Sequence, residues 1–360
     1  LPTSANQAYS LVAFTSGIAS LCAWSFGLVI GAIVARSVAS ECSKKSFKIH
    51  YPLLVASAYS GFVIWHMGYS SSAALFVATP GHLLEDRVGV IPVTETILSS
   101  TNIVMALMAL AIITIICPLM RPKDKDIIEF TPNTIENSDS STLSNQSGLT
   151  LIEKFENHRA LNIFLGIALV SYIVMTYAQD GFSLNLNIVS WTFLAFGLIL
   201  ATSPMHFIRL INNAAATVGP IILQYPFYSG IMGMMATTGL MKVITDWIIS
   251  ISTPETLGFF AFLSGGLVNM FIPSGGGQWA VQGPIMIEAA LSLDVNPSIV
   301  VLGVAYGDQW SNMIQPFWTI PILAIAGLHM RQILGYTFVI FIMTGILFGS
   351  GMLYMGSGNI

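Results

Sequence analysis

Two ionisable residues stand where charge is costly. Asp308 lies in "YGDQWSNMIQP" (306–316) and His66 in "YSGFVIWHMGYSSSAA" (59–74), both surrounded by apolar sequence. A carboxylate in such a place must be paired, protonated or bound to a cation, which makes Asp308 a candidate for ion coupling and His66 a second one. Their bland readings are a helix cap for Asp308 and a hydrogen-bonded core ring for His66. A third stretch, "NMFIPSGGGQWAVQGPIMIEAA" (269–290), sets a proline, a serine and three glycines inside a run of membrane length. A half-helix starting after Gly277 would expose unpaired N–H groups and the positive end of its dipole, the chemistry that holds a small anion. Gly275, Gly276 and Gly277 would let backbone approach the ligand. Ser274, Gln278, Gln282 and Asn312 add neutral donors. No Lys or Arg falls at the expected midplane depth, so an anion would be held by dipoles and weakly enough to leave.

Other chemistries find no footing. The six histidines form no H-x-x-x-H and no Cys/His pairing, so no metal site is expected. Ser274 lacks the G-x-S-x-G context of a nucleophile elbow. A G-x-G-x-x-G loop starting at Gly275 fails because Ala280 stands in the last place. No enzyme, nucleotide cofactor or nucleic-acid partner is indicated, and there is no basic stripe. Glu288 is expected near a hairpin end, in water.

These residues need elements to hold them at depth. The chain has 360 residues, 54% hydrophobic and only 8% charged, with mean hydropathy +0.75. That composition excludes a water-soluble globule and predicts an all-α polytopic membrane protein. Apolar runs fall near 9–39, 51–79, 97–120, 160–178, 187–203, 218–241, 257–291, 296–326 and 333–356. Residues 121–159 are rich in Ser, Asn, Thr and charge and read as a flexible cytoplasmic linker. It divides a first membrane portion, 1–120, from a second, 160–360. The chain starts at Leu1 without a signal-peptide pattern, and further residues upstream are expected. Cys22 and Cys117 sit in apolar runs, and the odd count of three argues against a disulfide framework.

Charge sets orientation. If the runs at 9–39 and 257–291 are re-entrant hairpins, Arg36, Lys44, Lys45, Lys48, Arg121, Lys123, Lys125, Lys154, Arg159, Arg209 and Arg331 all become cytoplasmic, with Arg87 and Lys242 outside. The portions also echo each other. "AFTSG" (13–17) matches "AFLSG" (261–265) at a shift of 248, "AYSG" (58–61) matches "AYGD" (305–308) at 247, and Pro52 matches Pro297 at 245. Under this orientation the echo is an inverted-topology repeat, the plan of secondary transporters. Polar interruptions recur in both: "SLCAWSFG" (20–27) and 59–74 in the first, 269–290 and 306–316 in the second. Non-helical backbone at membrane depth lasts only where protein or a water-filled cavity satisfies it, so paired breaks point to a shared midplane site. The G-x-x-x-G spacings at Gly27/Gly31, Gly303/Gly307 and Gly345/Gly349 are read as helix packing.

"FIPSGGGQWAVQGPIM" (271–286), "ILQYPFYSGIMGMM" (222–235), "HYPLLVASAYSGFVIWHMGYSSSAAL" (50–75) and "GDQWSNMIQPFW" (307–318) closely resemble blocks of the short-chain fatty acid transporter family. The resemblance covers nearly all of the chain outside the linker. It implies transport of small monocarboxylates such as acetoacetate or butyrate across a bacterial inner membrane, with kinship to ion transporters whose two hairpins meet at the site and move like an elevator. By that analogy Ser16, Gly17 and Ser25 face Ser274–Gln278 and Asn312 across the substrate. A homodimer in the lipid bilayer is common among such carriers. The coupling ion, proton or sodium, stays open, and an uncoupled channel or facilitator is the alternative. Phe271, Trp279, Trp310 and Phe317 are expected to line the acyl chain.

Overall fold

A computed structural model of the chain describes residues 2–43, 47–130 and 158–358. Lys44, Lys45, Lys154 and most of the linker lie outside the described residues. Among those described, the regular structure is helical throughout. Contacts divide the chain into two compact units, 1–131 with 231–360, and 132–230.

The first unit opens with α1 (Ala5–Cys22), begun by the Ser4 hydroxyl accepting from the Gln7 amide. One extended residue, Ala23, separates it from α2 (Trp24–Ser43). Next, α3 (Tyr51–Ser60) starts on Pro52, whose missing N–H costs nothing in a first turn. It tightens into a 3-10 segment, Gly61–Met67, before a short break and α4 (Ser72–Val77). A surface stretch carrying α5 (Glu85–Val88) leads to α6 (Ser100–Leu119), capped by Ser99. The second unit holds α7 (Arg159–Asp180) and α8 (Leu186–Leu200), antiparallel neighbours in which Gly166 lets Ile199 and Ala195 come close. α9 (Pro204–Thr237) follows, then α10 (Leu240–Ile251).

The element order of the first stretch then returns. α11 (Leu257–Asn269) and α12 (Gly275–Ser292) form a second tight pair. α13 (Pro297–Ser311) again begins on proline, again runs into a 3-10 turn, Asn312–Ile314, and breaks before α14 (Pro316–Ala326). α15 (Met330–Gly356) closes the unit.

In lipid, helices gain nothing from burying apolar surface against each other, so small residues decide where backbones meet. Both halves use them at one crossing. A Cβ on Gly61 would lie 2.5 Å from the Gly17 amide nitrogen, and one on Gly307 would lie 2.5 Å from that of Gly266. Tyr9, Tyr59, Tyr306, Phe62, Phe262 and Phe348 are among the largest fully buried side chains.

Among the described residues, four helices are long and apolar enough to cross a membrane: Trp24–Ser43, Ser100–Leu119, Arg159–Gln179 and Met330–Gly356. The runs at 9–39 and 257–291, expected as hairpins, are each two helices, cut by extended Ala23 and by the turn at 270–274, and the run at 296–326 is also two helices. Arg209, expected in a loop after 203, lies exposed within α9, which starts at Pro204. Asp308 lies inside regular α13 rather than in a break. The three glycines do not form the turn either. The backbone turns at 270–274, and Gly275–Gly277 are the first turn of α12, none with positive φ.

Candidate functional site

The breaks are where polar groups collect. The α1–α2 tip is pinned to the first break: the Tyr69 amide donates to the Leu21 carbonyl at 2.7 Å, and the Trp24 amide to Ser70 Oγ at 3.0 Å. Gly68 is required there, since any Cβ would strike the Leu21 backbone. The α11–α12 tip is pinned to the second break in the same manner, by Gln315 Nε2 donating to the Asn269 carbonyl at 2.5 Å. Ser274 caps α12, its Oγ accepting from the Gly277 amide at 3.4 Å.

Each half also reaches into the other's break. Tyr59 on α3 donates to the Asn312 carbonyl at 2.6 Å. Tyr306 on α13 donates to Asn102 Oδ1 at 2.8 Å, and Asn102 Nδ2 passes the link to the Met67 carbonyl at 3.0 Å. The two tyrosines occupy matching places in the "AYSG" and "AYGD" echoes. The His66 amide donates to Gln309 Oε1 at 2.9 Å. Asn269 Nδ2 lies 2.8 Å from both Ser311 Oγ and Asn312 Oδ1, and 3.0 Å from the Asp308 carbonyl.

At the centre of this net, His66 Nε2 and Asp308 Oδ2 stand 3.9 Å apart, with side chains only 1% and 2% exposed. Asn312 Nδ2 donates to Asp308 Oδ1 at 3.3 Å, while Oδ2 has no hydrogen-bond partner among the described residues. His66 Nε2 accepts from the Ser72 amide at 3.4 Å, while Nδ1 has no hydrogen-bond partner among the described residues. The first turn of α12 abuts this pair. A Cβ on Gly275 would fall 2.6 Å from His66 Nε2, 2.8 Å from Trp65 and 3.0 Å from Ser72 Oγ. A Cβ on Gly276 would meet open space.

The candidate residues separate into groups. His66, Asp308, Asn312 and Gly275 come together. Ser274 and Gly276 lie half-buried beside them, and Ser25 is half-buried on the first turn of α2. Ser16 serves packing: its buried Oγ lies 2.5 Å from the Ala58 carbonyl and 2.9 Å from that of Gly27. Gly17 is enclosed by Leu110, Ile113 and Ile64. Gln278 donates to the Gly265 carbonyl and to Gln282, which donates to Ser264, so both glutamines clamp α12 to α11. Of the expected acyl-chain aromatics, Trp279 is wholly buried against Gly283 of its own helix, and Trp310, half-buried, stacks on Phe341 at 4.2 Å while donating to its carbonyl at 2.7 Å. Phe271 is 78% exposed. Glu288 is half-exposed and pairs with Arg87. Asn269, Gln309, Gln315 and the two tyrosines were not singled out from sequence. A signal existed: each is a polar atom in an apolar run next to a break.

Helices long and apolar enough to cross a membrane, with polar groups gathered where others break, define a multi-pass membrane protein. The fold is shared by the Alcanivorax borkumensis YdaH transporter (TM-score 0.61, 13% identity, covering 98% of this chain and 79% of that one). Neisseria gonorrhoeae MtrF, described with a class of antimetabolite efflux pumps, also matches (TM-score 0.52, 15% identity, 98% and 74%). The chain belongs to the short-chain fatty acid transporter family, whose model matches residues 1–355. A candidate short-chain fatty acid transporter of Escherichia coli K12 is 37% identical over 96% of this chain and 78% of its own length. One from Haemophilus influenzae is 36% identical over 97% and 79%.

Proposed function

We propose that the protein is a secondary carrier of small monocarboxylates, acetoacetate and butyrate among them, across the bacterial inner membrane. It couples their movement to a proton or sodium ion and works by alternating access. The substrate class follows from membership of the family. The recurrence of hairpin, proline-started helix, 3-10 turn and break supports an inverted repeat with two re-entrant hairpins, the plan that lets one site open to either side. An elevator movement belongs to the same proposal.

The observation that carries the coupling is the Asp308–His66 pair. It is buried, it joins the two halves, and one carboxylate oxygen has no hydrogen bond. A carboxylate so enclosed is tolerable when it holds a proton or a cation, and it becomes costly once that ion leaves. Filling and emptying the pair therefore biases how the halves sit against each other. The first turn of α12, touching His66 through Gly275, carries the bias toward the tip where the anion would dock.

Asp308→Asn tests this in proteoliposomes. The asparagine keeps the Asn312 contact but holds no exchangeable ion. Exchange of labelled butyrate for internal butyrate should continue within about threefold of wild type, while stimulation by an imposed gradient disappears. Gradient stimulation that persists in the variant removes Asp308 from the coupling role. A wild-type protein that exchanges no short-chain acid removes the substrate assignment.

A further inference from the structure

The aromatic residues around the tips show a deficit that the expected lining residues do not explain. Trp65 and Trp318 each bury an indole Nε1–H that has no hydrogen-bond partner among the described residues. Indole is a donor and nothing else, so only an acceptor can relieve it. Trp310 finds its acceptor in the Phe341 carbonyl. Trp279 is also unpaired, but it is wholly buried and packs over Gly283 of its own helix.

Trp65 and Trp318 lie on opposite halves and are joined through one ring. Phe62 stacks on Trp65 with centroids 5.9 Å apart and rings 11° from parallel, and tilts on Trp318 at 5.6 Å. Trp24, the first residue of α2, meets Trp318 edge-on at 5.4 Å. On the other side the Trp65 ring sits against Gly275, in the first turn of α12. The cluster thus touches both hairpin tips. Its Trp24 and Trp318 members are half-buried, whereas Phe62 and Trp65 are buried, so a ligand would enter from the Trp24 and Trp318 side.

We propose that Trp65 and Trp318 are the donors that recognise the substrate's carboxylate, and that Phe62 and Trp24 wall its short alkyl chain. The assignment rests on the carrier reading above and adds to it the residues that set affinity and chain length. Two neutral N–H donors on flat apolar rings suit a small anion that must be released again. They also favour a short chain, because the wall is made of large rings.

The test uses the full-length protein labelled with 15N at its indole nitrogens, in lipid nanodiscs, titrated with sodium butyrate against sodium chloride and against neutral butyramide. Two of the seven indole N–H resonances should move downfield with butyrate in one saturable curve, and with neither control. Trp65→Phe and Trp318→Phe keep an apolar ring and lose the donor. Each should remove one of the moving signals and raise the KM for butyrate exchange about tenfold with little change in maximal rate. Because the titration reads the wild-type chain, it stands even where a variant folds badly. Butyrate that saturates exchange yet moves no indole resonance overturns the assignment, as does an unchanged KM in both variants. Wild-type protein that exchanges no short-chain acid overturns the carrier reading, and this assignment with it.

Discussion

Gly275 and Gly276 are neighbours in sequence with opposite surroundings. The first faces His66, Trp65 and Ser72 at distances no Cβ can occupy, and the second faces open space. Gly275→Ala should therefore lower thermal stability by about 1–3 kcal/mol through overpacking, even without substrate. Gly276→Ala should leave melting within about 0.5 kcal/mol, because nothing in the protein crowds it. Any loss of butyrate affinity in Gly276→Ala would then report on the ligand's own approach to the backbone. Equal melting of the two variants would contradict this division. The glycine run was conspicuous in the sequence, but where the helix starts relative to it was not. The half-helix was expected to start after Gly277, yet Ser274 caps it and the three glycines form its first turn. Gln278 and Gln282 were equally conspicuous and turned out to clamp α11, because a residue type does not state which neighbour its amide meets.

The elements of the two halves are held by close backbone crossings, and these tolerate no side chain. Gly307→Ala would push a methyl against the backbone of Gly266 and Phe262, which cannot rotate away as a side chain can. We expect a loss of about 2 kcal/mol or more in detergent melting, with α11 and α13 forced apart. Gly335→Ala is the control. It lies inside α15 with nothing near its added methyl, so melting should be unchanged or raised by up to about 1 kcal/mol. A Gly307→Ala protein that melts with wild type would show that the crossing is looser than described. At this scale the sequence revealed that helices were interrupted and where. It did not reveal how narrowly. "SLCAWSFG" breaks at Ala23 alone, and most of "YSGFVIWHMGYSSSAA" is α3 and its 3-10 extension. Gly, Ser and Pro mark a weak point in a helix, whereas the length of a break is fixed by tertiary partners such as Gly68 on Leu21.

For the whole molecule, the helical membrane class was readable from composition. The links joining the halves were not. Tyr59 to Asn312, Tyr306 through Asn102 to Met67, and His66 to Asp308 each connect residues more than 200 positions apart, or pass through a residue that is. No local pattern encodes such a pairing. Those links make the central claim specific: a buried carboxylate–imidazole pair shared by both halves ties substrate movement to an ion. Its most direct test is uptake of labelled butyrate or acetoacetate by the purified protein in liposomes, with proton and sodium gradients imposed separately. The account predicts accumulation above the external concentration under an inward gradient of one of these ions, collapsing when that gradient is dissipated. Uptake that only equilibrates, with neither gradient able to raise it, would contradict coupling and leave an uncoupled facilitator.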